Sequence, residues 1–133
     1  MRCRLSAGIF MVAVMSWISK RVRAFTCAGN GLLHMISSES HARIHVLAVG
    51  AVIVAGVVTH ISRSEWIILV LACGFVIACE AFNTALERLA DATHPEHHPL
   101  VGQAKDVAAG AVLVSALASV IIGALIFLPY WLN

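Results

Sequence analysis

The chain has 133 residues, of which 60% are hydrophobic and 12% are charged, and its mean hydropathy is +0.91. Soluble domains ordinarily contain about half apolar and a quarter charged residues, so this composition excludes an ordinary cytosolic globule. The formal net charge of +2 is too small, and the charges are too scattered, for a disordered tail or a nucleic-acid-binding protein. We therefore predict an all-α membrane protein of one domain, with roughly three spans of about 20 residues each.

Residues 1–19 resemble the first part of a signal peptide, because two arginines precede a long uncharged stretch. A small-x-small cleavage site does not follow directly, since the next residues are basic and begin at Lys20. We expect either an uncleaved apolar extension or a gene start that lies further on, at Met11 or Met15.

Residues 20–43 mix apolar side chains with basic and polar ones, a pattern typical of an amphipathic helix in the membrane interface. The triplet Gly29-Asn30-Gly31 predicts an interruption of that helix.

The first predicted span, residues 44–61, is rich in Val, Ala and Gly and has no formal charge. It is followed by a short polar turn, residues 62–65.

The second predicted span begins at Trp66, a residue suited to the membrane boundary, and continues to Asp91. Residues 93–103 contain two prolines and a glycine and are predicted to form a loop. The third predicted span covers residues 104–127 and closes at Pro129. Small residues recur along it at helical spacing, which is typical of close helix packing.

The distribution of Lys and Arg predicts the orientation, because positively charged loops stay in the cytoplasm. Arg63 lies alone on one side of the predicted spans. The other basic residues lie on the opposite side, with Arg43, Arg88 and Lys105 among them. We therefore expect a multi-pass protein whose N-terminal helix and 93–103 loop face the cytoplasm.

The second half of the second span carries polar groups on one face. At about 100° per residue these groups project within a wedge of roughly 100°. They are Glu80, Asn83, Thr84, Glu87 and Asp91. Glu80 lies about 21 Å along the helix from Trp66, which places it in the cytoplasmic third of a hydrocarbon core about 30 Å thick.

An ionised group at this depth costs about 2–3 kcal/mol, so Glu80 needs a partner, water or a proton. The structural interpretation is a polar contact between helices, with Glu80 protonated and Glu87 solvated at the surface. The functional interpretation is a catalytic site. Two carboxylates near the interface can hold Mg²⁺, a lysine such as Lys105 neutralises phosphates, and a buried carboxylate can deprotonate the hydroxyl of a lipid.

Three sequence blocks identify a family. Glu80-Ala-Phe-Asn83-Thr-Ala-Leu-Glu87 followed by Asp91, and His98-Pro-Leu-Val-Gly-Gln-Ala-Lys105-Asp106, closely resemble the signature of the prokaryotic diacylglycerol kinases, which include undecaprenol kinases. Glu39-Ser-His-Ala-Arg43-Ile-His45 resembles the acidic motif upstream of that signature. The likeness covers about residues 20–130 with matching spacing between the blocks.

The resemblance implies a kinase that transfers phosphate from ATP, with Mg²⁺, to a membrane lipid alcohol. It also implies a homotrimer whose active sites are shared between neighbouring subunits at the cytoplasmic interface. Glu80 would be the general base and Asn83 would support the site, while Glu39 and Glu87 would hold Mg²⁺. The nucleotide would contact, besides those two carboxylates, Lys20, Glu96, His98, Lys105 and Asp106.

The resemblance also bears on the lipid substrate. The Arg43-Ile44-His45 triplet looks more like the undecaprenol branch, whereas Cys27, which stands where an aromatic residue is common in the family, is a departure that concerns the nucleotide contacts of the N-terminal helix. A site for two acyl chains and a site for one polyprenyl chain would be lined by the same types of apolar residue. Both diacylglycerol and undecaprenol therefore remain candidate acceptors. A Walker loop is not present, and the family does not use one.

Two other functions are open on the residues alone. The first is a non-enzymatic membrane adaptor whose helices pack against partners and for which the Glu80 carboxylate is dispensable. The second is a metal transporter, indicated by the cluster of histidines from His94 to His98. Adjacent His97 and His98 cannot easily share one metal, so a polar loop is the favoured interpretation of that cluster.

Overall fold

The computed structural model describes residues 3–96 and 98–132. Within these ranges the chain forms helices without strands, and the helices are α1 (Cys3–Ser38), α2 (Ser40–Val58), α3 (Arg63–Thr93) and α4 (Pro99–Leu132). The prediction of an all-α protein is confirmed. Met1 and Arg2 of the predicted extension and His97 of the predicted loop lie outside the described residues.

Helices α2, α3 and α4 are each long and apolar enough to cross a membrane, in agreement with the three predicted spans. Helices α3 and α4 extend beyond their predicted bounds, whereas α2 both begins and ends earlier than the predicted span 44–61. Helix α3 begins at Arg63 and not at Trp66, and α4 takes in part of the predicted 93–103 loop, which leaves only residues 94–98 between the helices. Proline at the first helical position has a suitable fixed φ and needs no donor, so α4 begins at Pro99.

The chain divides into two compact units, one ending at His34 and the other beginning at Met35. In the first unit α1 runs without a break through Gly29 and Gly31, so the predicted interruption there was wrong. An isolated glycine costs a helix only about 1 kcal/mol relative to alanine, and the neighbouring residues absorb this cost. The guanidinium of Arg21 lies 5.2 Å from the ring centroid of Trp17, one turn away on the same helix.

The second unit begins with the last turn of α1 and contains α2, α3 and α4. Glu39 adopts an extended backbone (φ −100°, ψ 125°) and so separates α1 from α2. The buried side chains of Met35 and Ala42 flank this break. The predicted interfacial helix of residues 20–43 therefore ends at Ser38, and the residues that follow Glu39 belong to α2.

The connection between α2 and α3 is a tight turn with defined caps. The amides of His60 and Ile61 donate back to the carbonyls of Val57 and Gly56, which is the Schellman pattern at a helix C-terminus. His60 takes the left-handed position of this motif with φ 51°. Ser62 and Glu65 then form a capping box at the start of α3, which explains why the helix begins before Trp66.

Gly56 is required by the close approach of α2 and α3. A Cβ atom at this position would lie 2.8 Å from two ring atoms of Trp66 and 3.0 Å from Cδ1 of Ile61. Ile61, Leu69, Ile126 and Phe127 form the buried apolar cluster nearby, and Trp66 packs against it. The apolar core of the second unit thus lies at the end of the helices that carries the α2–α3 turn.

Helices α3 and α4 are also joined by polar contacts. The hydroxyl of Ser119 contacts the carbonyl of Ala72 at 3.4 Å, and Ser115, which belongs to the predicted stripe of small residues, is buried. Helix α4 continues through Pro129 to Leu132 although closure at Pro129 was predicted. Proline has no backbone N–H, so Pro129 cannot donate the usual helical hydrogen bond to the carbonyl four residues before it. Because Pro129 lies close to the end of α4, this loss affects only the last turn of the helix.

Candidate active site

Glu80 lies on the buried face of α3. This face repeats at intervals of three, four and six residues and consists of Leu69, Ala72, Val76, Glu80, Thr84 and Ala90. Glu80 is 3% exposed and Thr84 is 6% exposed. Since one stripe contains both apolar residues and a carboxylic acid, the periodicity that buries Leu69 and Val76 also buries Glu80.

The Glu80 carboxyl makes no hydrogen bond or ion pair with another residue in the part of the chain that the structure describes. A carboxyl group that is buried for structural reasons ordinarily has a hydrogen-bonding partner, because leaving it unpaired costs free energy. Glu80 is therefore a candidate functional residue, because the residue is almost fully covered and its carboxyl has no such partner among the described residues.

Asn83 and Glu87 form a pair one turn apart on α3. The Asn83 side-chain amide donates to Oε1 of Glu87 at 3.1 Å, while the Asn83 carbonyl oxygen Oδ1 is buried and has no partner among the described residues. Because a carboxylate can only accept, this contact fixes which end of the amide points to Glu87. The pair holds one oxygen of Glu87 and leaves Oε2 without a donor in the same described residues.

Glu39 lies against α3, although it is far from that helix in sequence. Nη2 of Arg88 lies 3.4 Å from Oε1 of Glu39 and also donates to the hydroxyl of Ser38. The Ser38 hydroxyl is itself 3.3 Å from the same Glu39 oxygen. This contact brings Glu39 to the part of α3 that carries Glu87, as required if the two carboxylates share one cation.

A second ion pair joins α3 and α4 at the same end of the second unit. Nζ of Lys105 donates to Oδ1 of Asp91 at 2.7 Å. The sequence predicted that Lys105 binds phosphate, and in the structure it is engaged with a carboxylate whose side chain is 71% exposed. Asp106, the next residue on α4, is exposed.

The remaining predicted site residues are spread out. Glu96 and His98 are exposed in and after the 94–98 connection, and Nδ1 of His98 accepts from the amide of Leu100 at 3.3 Å. The His98 ring stands edge-on to that of His94, with centroids 6.2 Å apart. Lys20 is exposed on α1 and belongs to the first unit.

The donor set fits Mg²⁺ better than a transition metal. Among the described residues, three or more His, Cys, Asp or Glu side chains do not gather as a metal site. Glu39 and Glu87 offer hard carboxylate oxygens, and Mg²⁺ is typically bound by one or two carboxylates with waters and substrate phosphates in its other positions. Two carboxylates from this chain are therefore sufficient.

The sequence interpretation missed Arg88 and Ser38. Arg88 directly follows Glu87, but it was used only as a marker of membrane orientation, and Ser38 was not singled out. A basic residue beside a predicted metal ligand indicates an ion pair near the site. The sequence does not show which carboxylate is its partner. That partner depends on where the break between α1 and α2 lies in space.

A known protein family matches most of the chain. The model of the family described as prokaryotic diacylglycerol kinase matches residues 26–127. The chain belongs to this family. The family that the three sequence blocks indicated is thus confirmed, and the matched range contains every predicted site residue except Lys20.

Several curated members of the prokaryotic diacylglycerol kinase family are similar to the chain. It is 40% identical over 112 residues to the undecaprenol kinase of Bacillus subtilis (strain 168), which covers 84% of this chain and 91% of that protein. It is 37% identical over 107 residues to a diacylglycerol kinase of Synechocystis sp., covering 80% of this chain and 61% of that protein. A diacylglycerol kinase of Helicobacter pylori (strain J99) is 32% identical over 96 residues, which is 71% of this chain and 74% of that one.

Membership of the prokaryotic diacylglycerol kinase family decides between the alternatives that the residues left open. The chain is an enzyme, a lipid kinase with helices long enough to span the membrane, and not a helix-packing adaptor or a metal transporter.

Proposed function

We propose that this chain uses ATP and Mg²⁺ to phosphorylate the hydroxyl group of a membrane lipid alcohol. The acceptor is undecaprenol or diacylglycerol, and the products are undecaprenyl phosphate or phosphatidic acid together with ADP. The observation that carries the proposal is that Glu80 is only 3% exposed on the buried face of an apolar helix and that its carboxyl has no partner among the described residues.

Glu80 serves as the general base in this proposal. It takes the proton from the lipid hydroxyl, whose oxygen attacks the γ-phosphorus as the bond to the β-γ bridging oxygen of ATP breaks. Phosphoryl transfer needs little covalent help from a protein, so the contribution of this chain is positioning and charge stabilisation. The burial of Glu80 supports the role, because it limits the access of water that would compete with the lipid.

Glu39 and Glu87 are the proposed magnesium ligands. Each has one oxygen engaged, Glu39 by Ser38 and Arg88 and Glu87 by Asn83, and each keeps its second oxygen free of donors from the described residues. When bound, Mg²⁺ would offset negative charge on the ATP phosphates. The protein would orient the ion through the two free carboxylate oxygens.

The nucleotide would lie at the cytoplasmic end of α3 and α4. Lys105 would exchange its contact with Asp91 for the phosphates, because the Asp91 carboxylate is mostly exposed and holds Lys105 only weakly. Glu96 and His98 in the 94–98 connection and Asp106 on α4 are the other proposed nucleotide contacts of the second unit, and all three are exposed. In this orientation ATP arrives from the cytoplasm and the lipid arrives from the bilayer.

Undecaprenol is the acceptor that the comparisons favour. The relative with 40% identity covers most of both chains and is named an undecaprenol kinase, while relatives named diacylglycerol kinases match at 37% and 32%. The Arg43-Ile44-His45 triplet supports the same branch. We further propose a homotrimer in the bacterial inner membrane, in which neighbouring subunits share the active sites.

The test is phosphate transfer by purified protein in detergent, with labelled Mg-ATP and both lipid alcohols, followed by identification of the product lipid. Glu80→Gln is close to isosteric and should abolish turnover while ATP binding persists. Glu65→Gln is the matched control, because it makes the same change at the other end of α3 and glutamine still completes a capping box. An active Glu80→Gln variant would contradict the assignment of the base.

A further inference from the structure

We propose that Arg88 is a positioning residue for the magnesium site, which holds the Glu39 carboxylate beside the turn of α3 that carries Glu87. The inference rests on the proposed function, because it takes Glu39 and Glu87 as the ligands. It concerns a residue that the family motifs quoted above do not include.

Glu39 needs such a partner because of its place in the chain. It is the only residue between α1 and α2 within the described range, and its backbone is extended. It occupies the N-cap position of α2, where a side chain commonly bonds to a backbone amide, yet its side chain makes no capping bond. The helix therefore does not orient this carboxylate, and an outside contact must do so.

Arg88 supplies that contact in a form suited to orientation. One nitrogen, Nη2, lies within reach of both Ser38 and Glu39, and the Ser38 hydroxyl contacts the same glutamate oxygen that Arg88 does. These contacts fix Oε1 and leave Oε2 without a donor among the described residues. Partners that hold one oxygen of a ligating carboxylate in this way raise the affinity of a site for its metal.

The position of Arg88 on α3 places its contact with Glu39 next to the second proposed ligand, Glu87. Arg88 follows Glu87 in sequence, and Glu87 is itself held by one oxygen through Asn83. Both proposed ligands are thus anchored to the same turns of α3, one directly and the other through the arginine. The side chains of Arg88 and Glu39 are 40% and 32% exposed, so this ion pair contributes little to stability.

Removal of Arg88 has opposite expected effects on cation affinity, depending on whether Arg88 positions Glu39 or acts only through its positive charge. The positioning role is therefore testable. If Arg88 acted only as a nearby positive charge, its removal would tighten the binding of a divalent cation. If it positions Glu39, its removal weakens that binding, because the carboxylate must be ordered at the cost of side-chain entropy.

The experiment measures the affinity of the purified full-length protein for Mn²⁺ without nucleotide, by electron paramagnetic resonance of the free ion. Arg88→Ala should raise the dissociation constant about 5–10-fold, near the lower end of the effect of outer partners of metal ligands, because the pair is partly exposed. Arg88→Lys keeps the charge without the planar fork and should give an intermediate value. Arg63→Ala, which removes an arginine at the opposite end of α3, should leave the affinity unchanged.

A cycle with Glu39→Gln separates positioning from a general disturbance of the fold. If Arg88 acts through Glu39, Arg88→Ala has no further effect on Mn²⁺ affinity once Glu39 is glutamine. Unchanged or tighter Mn²⁺ binding by Arg88→Ala would overturn the inference, and so would an equal loss in the Glu39→Gln background. Where Arg88→Ala does not survive purification, Arg88→Lys carries the same comparison.

The outcome for Arg88 is distinguishable from the outcome for the proposed function. Wild-type protein that transfers no phosphate from Mg-ATP to either lipid would contradict the function. Wild-type protein that is active, with Mn²⁺ affinity unaltered by Arg88→Ala, would contradict only the positioning role.

Discussion

At the scale of single residues, the site is built from carboxylates that differ in their surroundings. Glu80 is buried in an apolar stripe and has no partner within residues 3–96 and 98–132, whereas Glu39 and Glu87 are each held by one oxygen. These different surroundings support the proposed roles, with Glu80 as the base and the other two carboxylates as cation ligands. Glu80 lies nearer the middle of α3, and Glu87 lies nearer its C-terminal end.

The magnesium ligands lead to a prediction at this scale. Glu87→Ala or Glu39→Ala removes one of two hard oxygen ligands, so the Mg²⁺ concentration for half-maximal phosphate transfer should rise by about 10-fold or more. A Mg²⁺ titration of initial rates measures this change. Unchanged titrations in both variants would contradict the assignment, and Glu65→Gln serves as the control that keeps the site intact.

Asn83 leads to a second prediction through its contact with Glu87. Asn83→Leu keeps the approximate volume but removes the donor to Glu87, and we expect a loss of kcat together with a higher Mg²⁺ requirement. The same two measurements on Asn83→Asp show whether the effect depends on the amide, because a second carboxylate would repel Glu87. A variant Asn83→Leu with the activity and Mg²⁺ dependence of the wild type would exclude this supporting role.

At the scale of the elements, the two ends of the second unit have different tasks. The end with the α2–α3 turn carries the apolar cluster, the Schellman motif and the capping box. The other end carries the ion pairs that join Glu39 to α3 and Lys105 to α3.

A substitution at Gly56 tests the packing of α2 on α3 at the end that carries the α2–α3 turn. Gly56→Ala places a methyl group 2.8 Å from the Trp66 ring, so the helices must shift, and the free energy of unfolding should fall by about 1–3 kcal/mol. Gly50→Ala is the matched control on the same helix, because its Cβ would meet no atom within 4 Å. Denaturation of both variants with SDS, followed by circular dichroism, gives the comparison. Equal stabilities of the two variants would show that this packing of α2 on α3 does not occur.

At the scale of the whole molecule, the single chain leaves many large apolar side chains exposed along α2, α3 and α4. Lipid can cover some of this surface, and the proposed homotrimer would cover more of it. Exposed apolar faces that also carry small residues suit close contact between subunits. The proposed sharing of sites means that groups from two subunits would meet at one nucleotide.

Subunit mixing tests this sharing. Glu80→Gln subunits lack the proposed base and Lys105→Ala subunits lack a proposed phosphate contact, and each should be inactive or nearly so when alone. If neighbouring subunits complete one another's sites, unfolding and refolding the two together should restore measurable phosphate transfer. If each site lies within one subunit, the mixture will have no more activity than the mean of its parents.

Much of this architecture followed from one-dimensional patterns. Three apolar stretches of sufficient length predicted the spans, because a chain in lipid must satisfy its backbone by forming helices. The polar face of α3 was also predictable, since the spacing from Glu80 to Glu87 places these groups together on any helix. The break at Glu39 and the uninterrupted course of α1 through Gly29 were not, because glycine weakens a helix without deciding where it ends.

The sequence by itself determined the helical class, the three candidate membrane spans, the polar face of α3 and the family, since all of these depend on local composition, periodicity and motif spacing. The tertiary structure alone decided the pairings: Arg88 with Glu39, Lys105 with Asp91, and the contact of Trp66 with Gly56. Such contacts join residues that are distant along the chain or lie across a turn. They depend on how the helices are packed in space, which no local pattern of residues encodes.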